Sequence, residues 1–282
     1  MSSVSLQRQT VTPHQQGQTL QTFLREELQI SSRQAKSLLD SRKVFVNGKR
    51  IWMAKHTLRK GDRIEWSPLP RSGKKNTHTK ITVLYRDAYL MAVNKAPGYL
   101  SDRDPKSIEA LLRIQEGNPA LRALHRLDRD TSGLLLFLLS SEHRNSYQDL
   151  FRKKEIRKVY QALLCGHPPS DTVTLRKSLD GKSAETTFRV LKTHGDFCKV
   201  ECQIGTGRLH QIRRHALEIG CRVAGDRKYG SQLPLSSIEK SLPRQMLHAF
   251  TVEFKCPLSG KKIRIHAPLA EDFQKAVKQL GV

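Results

Sequence analysis

The stretch HRLDRDTSGLLLF, residues 125–137, sets one carboxylate, Asp128, between Arg126 and Arg129, then runs through a Thr-Ser-Gly turn into an unbroken apolar segment. The turn residues Asp130, Thr131, Ser132 and Gly133 ahead of a buried strand over 134–139 put Asp128 in a loop at a sheet end, where a rigid scaffold holds reactive groups. A carboxylate so placed can serve as nucleophile or general base. The flanking arginines are close enough in sequence to hold its charge. The same residues also suit a plainer purpose, in which Asp128 caps the turn and pairs with Arg126 or Arg129.

Two further stretches carry chemistry. In EIRKVYQALLCG, Tyr160 lies in a strand directly after the basic cluster Lys153, Lys154, Arg157 and Lys158; its ring offers a face for stacking a base and its hydroxyl a hydrogen bond or a proton path. In IGTGRLHQIRRHALEIG, Gly205 and Gly207 are expected to let the backbone turn tightly into a helix that begins near His210 and projects Gln211 and Arg213 or Arg214. Such a glycine turn can bind phosphate at the helix start. It can equally supply an arginine that holds a carboxylate ionised.

The elements that must position these groups fall into two parts. Residues 1–17 are polar and Gln-rich and are expected to be a flexible N-terminus. Over 18–66 the spacing predicts two short helices, with Leu20, Phe23, Leu24 and Leu28 on one and Ala35, Leu38 and Leu39 on the other, Ser32 capping the second. A hairpin around Asn47-Gly48 and a strand ending at Trp66 follow. Arg33, Lys36, Arg42, Lys43, Lys49 and Arg50 fall on the side that the apolar residues leave free, a face suited to phosphate contact. Residues 67–80, SPLPRSGKKNTHTK, read as a flexible linker. From 81 to 282 many short apolar strands alternate irregularly with few helices, the clearer ones in RNSYQDLFRKKE and HQIRRHALEIG. The fold class is therefore α+β: a small N-terminal α/β module, then a domain on a mixed, mainly antiparallel sheet with peripheral helices.

Composition narrows the partner. Fifty Lys and Arg against 26 Asp and Glu give a net charge of +24, a field that concentrates polyanions, so nucleic acid is the leading partner. Apolar stretches fall short of the roughly 20 residues of a spanning helix, which sets membranes aside. Five scattered cysteines and an N-terminus without a secretory pattern fit a reducing cytoplasm.

Together HRLDRDTSG, the Tyr160 of RKVYQALLCG, and TGRLHQIRRH followed by GDRKYG resemble the motifs of the RluA family of pseudouridine synthases, in their usual order. LYRDAYLMAVNKAPGYL and QMLHAFTVEF are similar to that family's first strands and late Leu-His segment, so the likeness spans roughly 81–270. The helix, helix, RKVFVNG, KGD pattern resembles the S-four RNA-binding domain. The resemblance implies isomerisation of uridine within RNA, most often large-subunit ribosomal RNA with transfer RNA the other substrate, without cofactor or metal and by a monomer. It implies Asp128 as catalytic carboxylate, Tyr160 stacking on the flipped base and serving as general base, and Arg213 paired with Asp128. It implies Arg126 entering the RNA stack, Leu247 walling the uracil pocket, and His125, Gly207, Arg208 and Gln211 lining the substrate site. The chain departs from the family at Ala96, before Pro97, and in the run SDRDPKSIEA, near where RNA is expected to approach.

Two rivals share parts of this pattern. A catalytically silent RNA-binding or assembly factor shares the charge but has no need of Asp128, Tyr160 and Arg213 together. A metal-dependent RNA hydrolase using His125, His210, His215 or His248 lacks ligand-like spacing.

Overall fold

The computed structural model describes residues 7–28, 30, 32–40, 44–66, 81–230 and 236–282. The 67–80 linker, Lys43, Arg42 and the side chain of Arg33 lie outside the described residues. The chain divides into two compact units, Met1–Thr79 and Lys80–Val282.

The first unit comprises β1 (Gln7–Thr10), α1 (Leu20–Glu27), α2 (Ser32–Asp40), β2 (Val44–Val46), β3 (Lys49–Arg50) and β4 (Arg63–Trp66), its strands ordered β1-β4-β2-β3. Thr19 caps α1 by accepting the Thr22 amide at 3.2 Å, which leaves Leu20, Phe23 and Leu24 to bury against Ala35, Leu38 and Leu39 of α2. Ser32 is the first residue of α2 itself. The Asn47-Gly48 turn has positive φ at both residues, 50° and 76°, the geometry that joins twisted strands in two-residue hairpins. Asn47 also accepts the Arg63 amide and donates to Asp62, each at 2.8 Å, so this turn and the Lys-Gly-Asp turn lock one another. Residues 7–10, expected to be flexible, are instead an edge strand paired with β4, and Trp66 donates to the Gln7 side chain at 2.9 Å. All four side chains of β1 are exposed. Its stability comes from backbone pairing, which leaves no apolar alternation in the sequence to reveal it.

The second unit runs β5 (Thr82–Arg86), β6 (Leu90–Lys95), α3 (Ile108–Glu116), β7 (Arg122–Ala123), β8 (Ser132–Leu138), α4 (Arg144–Arg152) and β9 (Arg157–Cys165). It continues β10 (Thr172–Arg176), β11 (Glu185–His194), β12 (Phe197–Ile204), α5 (Gln211–Glu218), β13 (Arg222–Val223), α6 (Ser237–Ser241), β14 (Leu247–Lys255), β15 (Lys262–His266) and α7 (Glu271–Leu280). Its main sheet is ordered β10-β11-β12-β9-β14-β8-β6-β5, antiparallel except where β14 meets β8. The α+β class and mixed, mainly antiparallel sheet are as the sequence implies.

Every residue of β8 is buried, and β9 is buried from Lys158 to Leu164. Residues on alternate sides of β9 join different cores, Tyr160, Ala162 and Leu164 on one and Leu163 on the other with Phe273, Ala276 and Leu280 of α7. A strand covered on both faces reads as a continuous apolar run. Gly133 begins the close approach of β8 to β14: its φ is 109°, and a Cβ there would stand 2.2 Å from the Ala249 carbonyl oxygen. Residues 100–123 contain α3, a helix beyond those expected from apolar spacing, which Ser107 caps and Gly117 closes in the left-handed conformation. All five cysteines are free thiols.

Candidate active site

Asp128 lies four residues before β8, in a segment whose backbone is fastened at each step. The Ser101 hydroxyl accepts the Leu127 amide at 2.9 Å and donates to the Leu127 carbonyl at 3.0 Å. The Asp128 carbonyl accepts the Thr131 amide at 3.1 Å, and the Arg129 carbonyl accepts the Gly98 amide at 2.9 Å. That same carbonyl accepts Lys95 Nζ at 2.8 Å, while Lys95 also donates to the Ala96 and Tyr99 carbonyls. Burial and the nearby Arg244 charge bring the Lys95 amine down to about 7. Arg244 donates from Nη1 to the Asp130 carbonyl at 2.9 Å and the Leu247 carbonyl at 3.2 Å, and grips Asp272 of α7 through Nε and Nη2. One buried guanidinium thus joins the Asp128 loop, the start of β14 and the last helix.

The side-chain partners differ from the expectation that flanking arginines hold Asp128. Arg126 pairs with Asp102 at 2.8 Å and Arg129 with Asp130 at 3.0 Å. Each flanking arginine is thus taken by another carboxylate, so closeness in the chain does not by itself make it the partner of Asp128. The guanidinium on Asp128 comes from α5: Arg213 Nη1 donates to Asp128 Oδ2 at 3.2 Å. Arg213 is itself held by Asp226, with Nε to Oδ2 at 2.6 Å and Nη2 to Oδ1 at 2.8 Å, and lies 5.0 Å over the Tyr229 ring. Burial alone pushes the Asp226 carboxyl up. The Arg213 contacts and the amides of Lys228 and Tyr229 outweigh it and hold it below the usual range. Arg214 turns instead to Asp180 at 2.8 Å.

Asp226 and Tyr229 belong to GDRKYG, a motif noticed in the sequence without a role given to either residue. A signal was available in Gly225, whose φ is 75° and where a Cβ would fall 2.2 Å from the Arg244 carbonyl oxygen. Arg244 itself carried no signal. His210 precedes α5 with a φ of 53° and shares a 2.8 Å hydrogen bond between Nδ1 and the Tyr229 hydroxyl. Its Nε2 lies 3.8 Å from Asp128 Oδ1. Burial depresses its basicity, with Asp128 acting in the opposite sense.

Arg126, Asp128, Tyr160, Gly207, Arg208, Gln211 and Leu247 line one cleft of about 420 Å³ that opens to solvent. Tyr160 and Leu247 come from adjacent strands, with Tyr160 opposite Ala249 and Leu247 opposite Ala162. Burial, then the Asp128 charge, pushes the Tyr160 hydroxyl far up, so it is a neutral donor and acceptor and its phenolate is strongly disfavoured. Gln211 lines the cleft but its amide is fully engaged: Oε1 accepts from Thr206 Oγ1 at 2.7 Å and the Arg208 amide at 3.0 Å, and Nε2 donates to Glu185 O and Thr186 Oγ1. It shapes the loop rather than offering a group to a ligand. Gly205 and Gly207 lack the left-handed φ expected of a tight glycine turn, and His210 adopts it instead.

His125 lies away from the cleft, on a neighbouring groove. Its Nε2 accepts the Leu136 amide at 3.2 Å, and burial with the Lys158 charge brings it down to about 3, so the ring is neutral. His215 bonds Thr186 and the Lys177 carbonyl, and His248 bonds Ser132 and the Ala267 carbonyl. In the first unit Lys36, Lys49 and Arg50 are exposed, with Arg50 over the Phe45 ring.

Residues 89–218 match the model of the RNA pseudouridylate synthase family, and residues 18–64 that of the S4 domain. Ribosomal large subunit pseudouridine synthase C of Vibrio cholerae is 31% identical over 94% of this chain and 93% of its own. An uncharacterized RNA pseudouridine synthase of Bacillus subtilis is 31% identical over 96% of this chain and 97% of its own. Among solved structures, human RNA pseudouridylate synthase domain containing 4 shares the fold, with a TM-score of 0.59 at 22% identity over 71% of this chain and 93% of that one. Human RNA pseudouridylate synthase domain containing 1 gives 0.55 at 26% identity over 74% and 98%.

Proposed function

The chain belongs to the RluA family of RNA pseudouridine synthases, and from that premise we propose that it isomerises uridine in large-subunit ribosomal RNA, with Asp128 as the catalytic carboxylate. The observation that carries the assignment is convergence: a partly exposed carboxylate, a buried tyrosine and an apolar wall from separate segments line one cleft, and the carboxylate is bonded by Arg213 from a further segment.

The reaction breaks the bond between C1′ and N1, turns the uracil, and joins C1′ to C5; C5 loses its proton and N1 gains one. The base must leave its stack for this, and a closed, partly apolar pocket keeps it from diffusing away after detachment. Leu247 and Ile212 supply that wall. Asp128 attacks C1′, adds to C6, or removes the C2′ proton; each route needs a carboxylate held at a fixed point, which the fastened backbone of residues 127–130 provides. Arg213 orients that carboxylate. Tyr160 gives the uracil a stacking face and passes protons as a neutral hydroxyl, which suits its depressed acidity better than service as a free phenolate base.

Arg126 and Arg208 at the mouth meet the RNA backbone, with Gly207 leaving room for it, and His125 serves the neighbouring groove. Lys36, Lys49 and Arg50, with Arg33 and Lys43, give the S-four module its phosphate contacts. The relatives' names favour ribosomal over transfer RNA. The enzyme acts in the cytoplasm as a monomer. The test is a carbodiimide map of pseudouridines in RNA from cells with and without this protein, repeated on transcribed ribosomal RNA with purified enzyme. One or a few large-subunit sites that disappear without the protein and return in vitro are expected; an unchanged map in both refutes the assignment.

A further inference from the structure

His210 lines the catalytic cleft, yet Asp128, Arg213 and Tyr160 carry the reaction described so far without it. Its backbone is in the left-handed region, with φ 53° and ψ 30° at the N-cap of α5. Residues other than glycine hold that conformation at a cost, and they gather where a site needs a side chain aimed in a particular direction. A histidine that merely began the helix would cap it, but the imidazole makes no bond to the first amides of α5. The ring is turned toward Tyr229 and Asp128 instead.

The contacts of the ring define what it can offer. Nδ1 lies 2.8 Å from the Tyr229 hydroxyl, with the two rings edge to face at 5.4 Å. Arg213 and Lys228 stand over the Tyr229 ring at 5.0 and 5.2 Å, and cations on a phenol ring draw electron density from its hydroxyl and make it a better donor. Nε2 lies 3.8 Å from Asp128 Oδ1. A lone pair aimed at a carboxylate is repelled and an N–H is attracted, so the anion and the tyrosine select the same tautomer. Tyr229 donates to Nδ1, and the proton sits on Nε2. Burial lowers the basicity of the ring, which favours this neutral form.

At 3.8 Å the pair is too far apart for a direct hydrogen bond, but both residues line the cleft, and an oxygen about 2.8 Å from each atom fits between them. That oxygen must accept from Nε2–H and donate to Oδ1. A carbonyl or phosphate oxygen can only accept, whereas a hydroxyl does both. The nucleotide hydroxyl nearest the reacting carbon is the ribose 2′-OH, because C2′ is bonded to C1′.

We propose that His210, oriented by Tyr229, binds the 2′-hydroxyl of the target nucleotide jointly with Asp128 and so makes the site selective for ribose. The proposal rests on the reading of Asp128 as the carboxylate of a pseudouridine synthase and goes beyond it by assigning the sugar contact. His210 is then a specificity-determining residue, and Tyr229 a positioning residue that acts through it. A hydroxyl held there brings C1′ and C2′ against Asp128, so the contact contributes to rate as well as to the choice of sugar.

The test compares fluorescein-labelled octauridylate with its 2′-fluoro counterpart, which keeps the ribose pucker and the backbone charge but cannot donate at the 2′ position, by anisotropy on the full chain. The wild type should prefer the ribo form about ten-fold, the size of one hydrogen bond to a charged group. Glycine suits the positive φ, so His210→Gly should melt close to the wild type. Its preference should fall to within about two-fold, through weaker binding of the ribo form alone. Tyr229→Phe keeps the ring beneath Arg213 and removes only the hydroxyl, and the preference should fall to about three-fold. On transcribed ribosomal RNA, tritium release from 5-labelled uridine should show kcat lower by about ten-fold in His210→Gly.

Equal affinity of the wild type for the two oligomers, or equal weakening of both by His210→Gly, overturns the proposal, since the ring then meets a water or the base. A full preference in Tyr229→Phe overturns the part given to Tyr229, and an unchanged kcat in His210→Gly overturns the contribution to rate. Contacts to 2′-hydroxyls elsewhere, the N-terminal module included, are common to every variant and cancel. A His210-dependent preference in a protein that forms no pseudouridine would leave the sugar contact standing while the functional assignment fell. Pseudouridine formed by a protein whose preference ignores His210 would do the reverse.

Discussion

Two aspartates share one guanidinium, and they are treated differently. Asp226 is 1% exposed, and both of its oxygens are loaded: Oδ2 accepts Arg213 Nε, and Oδ1 accepts Arg213 Nη2 and the amides of Lys228 and Tyr229. Asp128 is 23% exposed and, among the described residues, takes one longer bond from Arg213 at 3.2 Å and has His210, at 3.8 Å, near its other oxygen. The loaded carboxylate fixes the arginine through two nitrogens, and the third, Nη1, turns to the other carboxylate. A carboxylate with unfilled acceptor positions facing a cleft is free to meet a substrate, whereas one with none can only build. Sharing one cation between the two thus separates orientation from reactivity.

Removing charge from each aspartate should therefore give different failures. Asp128→Asn keeps volume and a hydrogen bond to Arg213 while removing the reactive oxygen anion. Pseudouridine formation is expected to fall about 10³-fold or more, with RNA affinity within about two-fold and urea stability within about 1 kcal/mol of the wild type. Product release of tritium from 5-labelled uridine in RNA measures the first, and anisotropy and denaturation the others. Activity within ten-fold of wild type would end the assignment of Asp128.

Asp226→Asn should fail in both respects. It leaves Arg213 buried against a neutral amide, and breaking a buried pair by removing one partner costs about 3 kcal/mol. Because Arg213 then loses its fixed position, kcat should also drop, by about 10²-fold. Urea midpoints and single-turnover rates on the same preparation check the pair of effects. A catalytic loss without a stability loss would mean that Asp226 touches the reaction directly, and the contrast between the two aspartates would collapse.

Acid offers a third way to sharpen it. The Asp226 carboxyl is held below its ordinary value in the folded protein, so the unfolded chain takes up this proton first as pH falls. Its contribution is fully present above the unfolded value of about 3.9 and is lost as pH drops through the lower folded value. Between about pH 5 and pH 3 the unfolding free energy of the wild type should decline more steeply than that of Asp226→Asn, with the two curves converging at the acid end. Parallel curves would show that Asp226 is not the group titrating.

The sequence displayed the ends of this network better than its middle. Asp128 stands out because it lies between two arginines ahead of a turn and an unbroken apolar run, and Tyr160 and Arg213 because their motifs accompany it in a familiar order. The two helices and the Asn-Gly hairpin of the first unit were legible from apolar spacing and turn chemistry. What stayed hidden depends on distance in space. Arg213 lies 85 positions from Asp128, and nothing local says that Arg213 rather than Arg214 turns inward. Arg244 joins Asp130, Leu247 and Asp272 from a stretch with no periodic signal. Gly205 and Gly207 are visible as glycines, and the chain bends at 205–206, but the left-handed φ in this loop falls on His210, a residue whose type gives no hint of it. Strand β1 holds by backbone bonds, which no side-chain pattern records.

The smallest effect concerns the residue that looked most like a partner for Asp128. Arg129 is adjacent in sequence, yet its guanidinium lies on Asp130 at 3.0 Å and is 57% exposed. Its backbone carbonyl is what matters to the site, since Lys95 Nζ and the Gly98 amide both end there. Arg129→Gln keeps that carbonyl and loses only a solvent-screened ion pair. Stability should change by no more than about 0.5 kcal/mol, and kcat by less than about two-fold, against the large losses at Asp128 and Asp226. Replacing Arg213 by Gln should, by contrast, reproduce much of the Asp226→Asn defect, because it takes the shared guanidinium from both carboxylates at once. A strong kcat loss in Arg129→Gln, with Arg213→Gln mild, would reverse the assignment of which cation serves Asp128, and would return that duty to the neighbour in the chain.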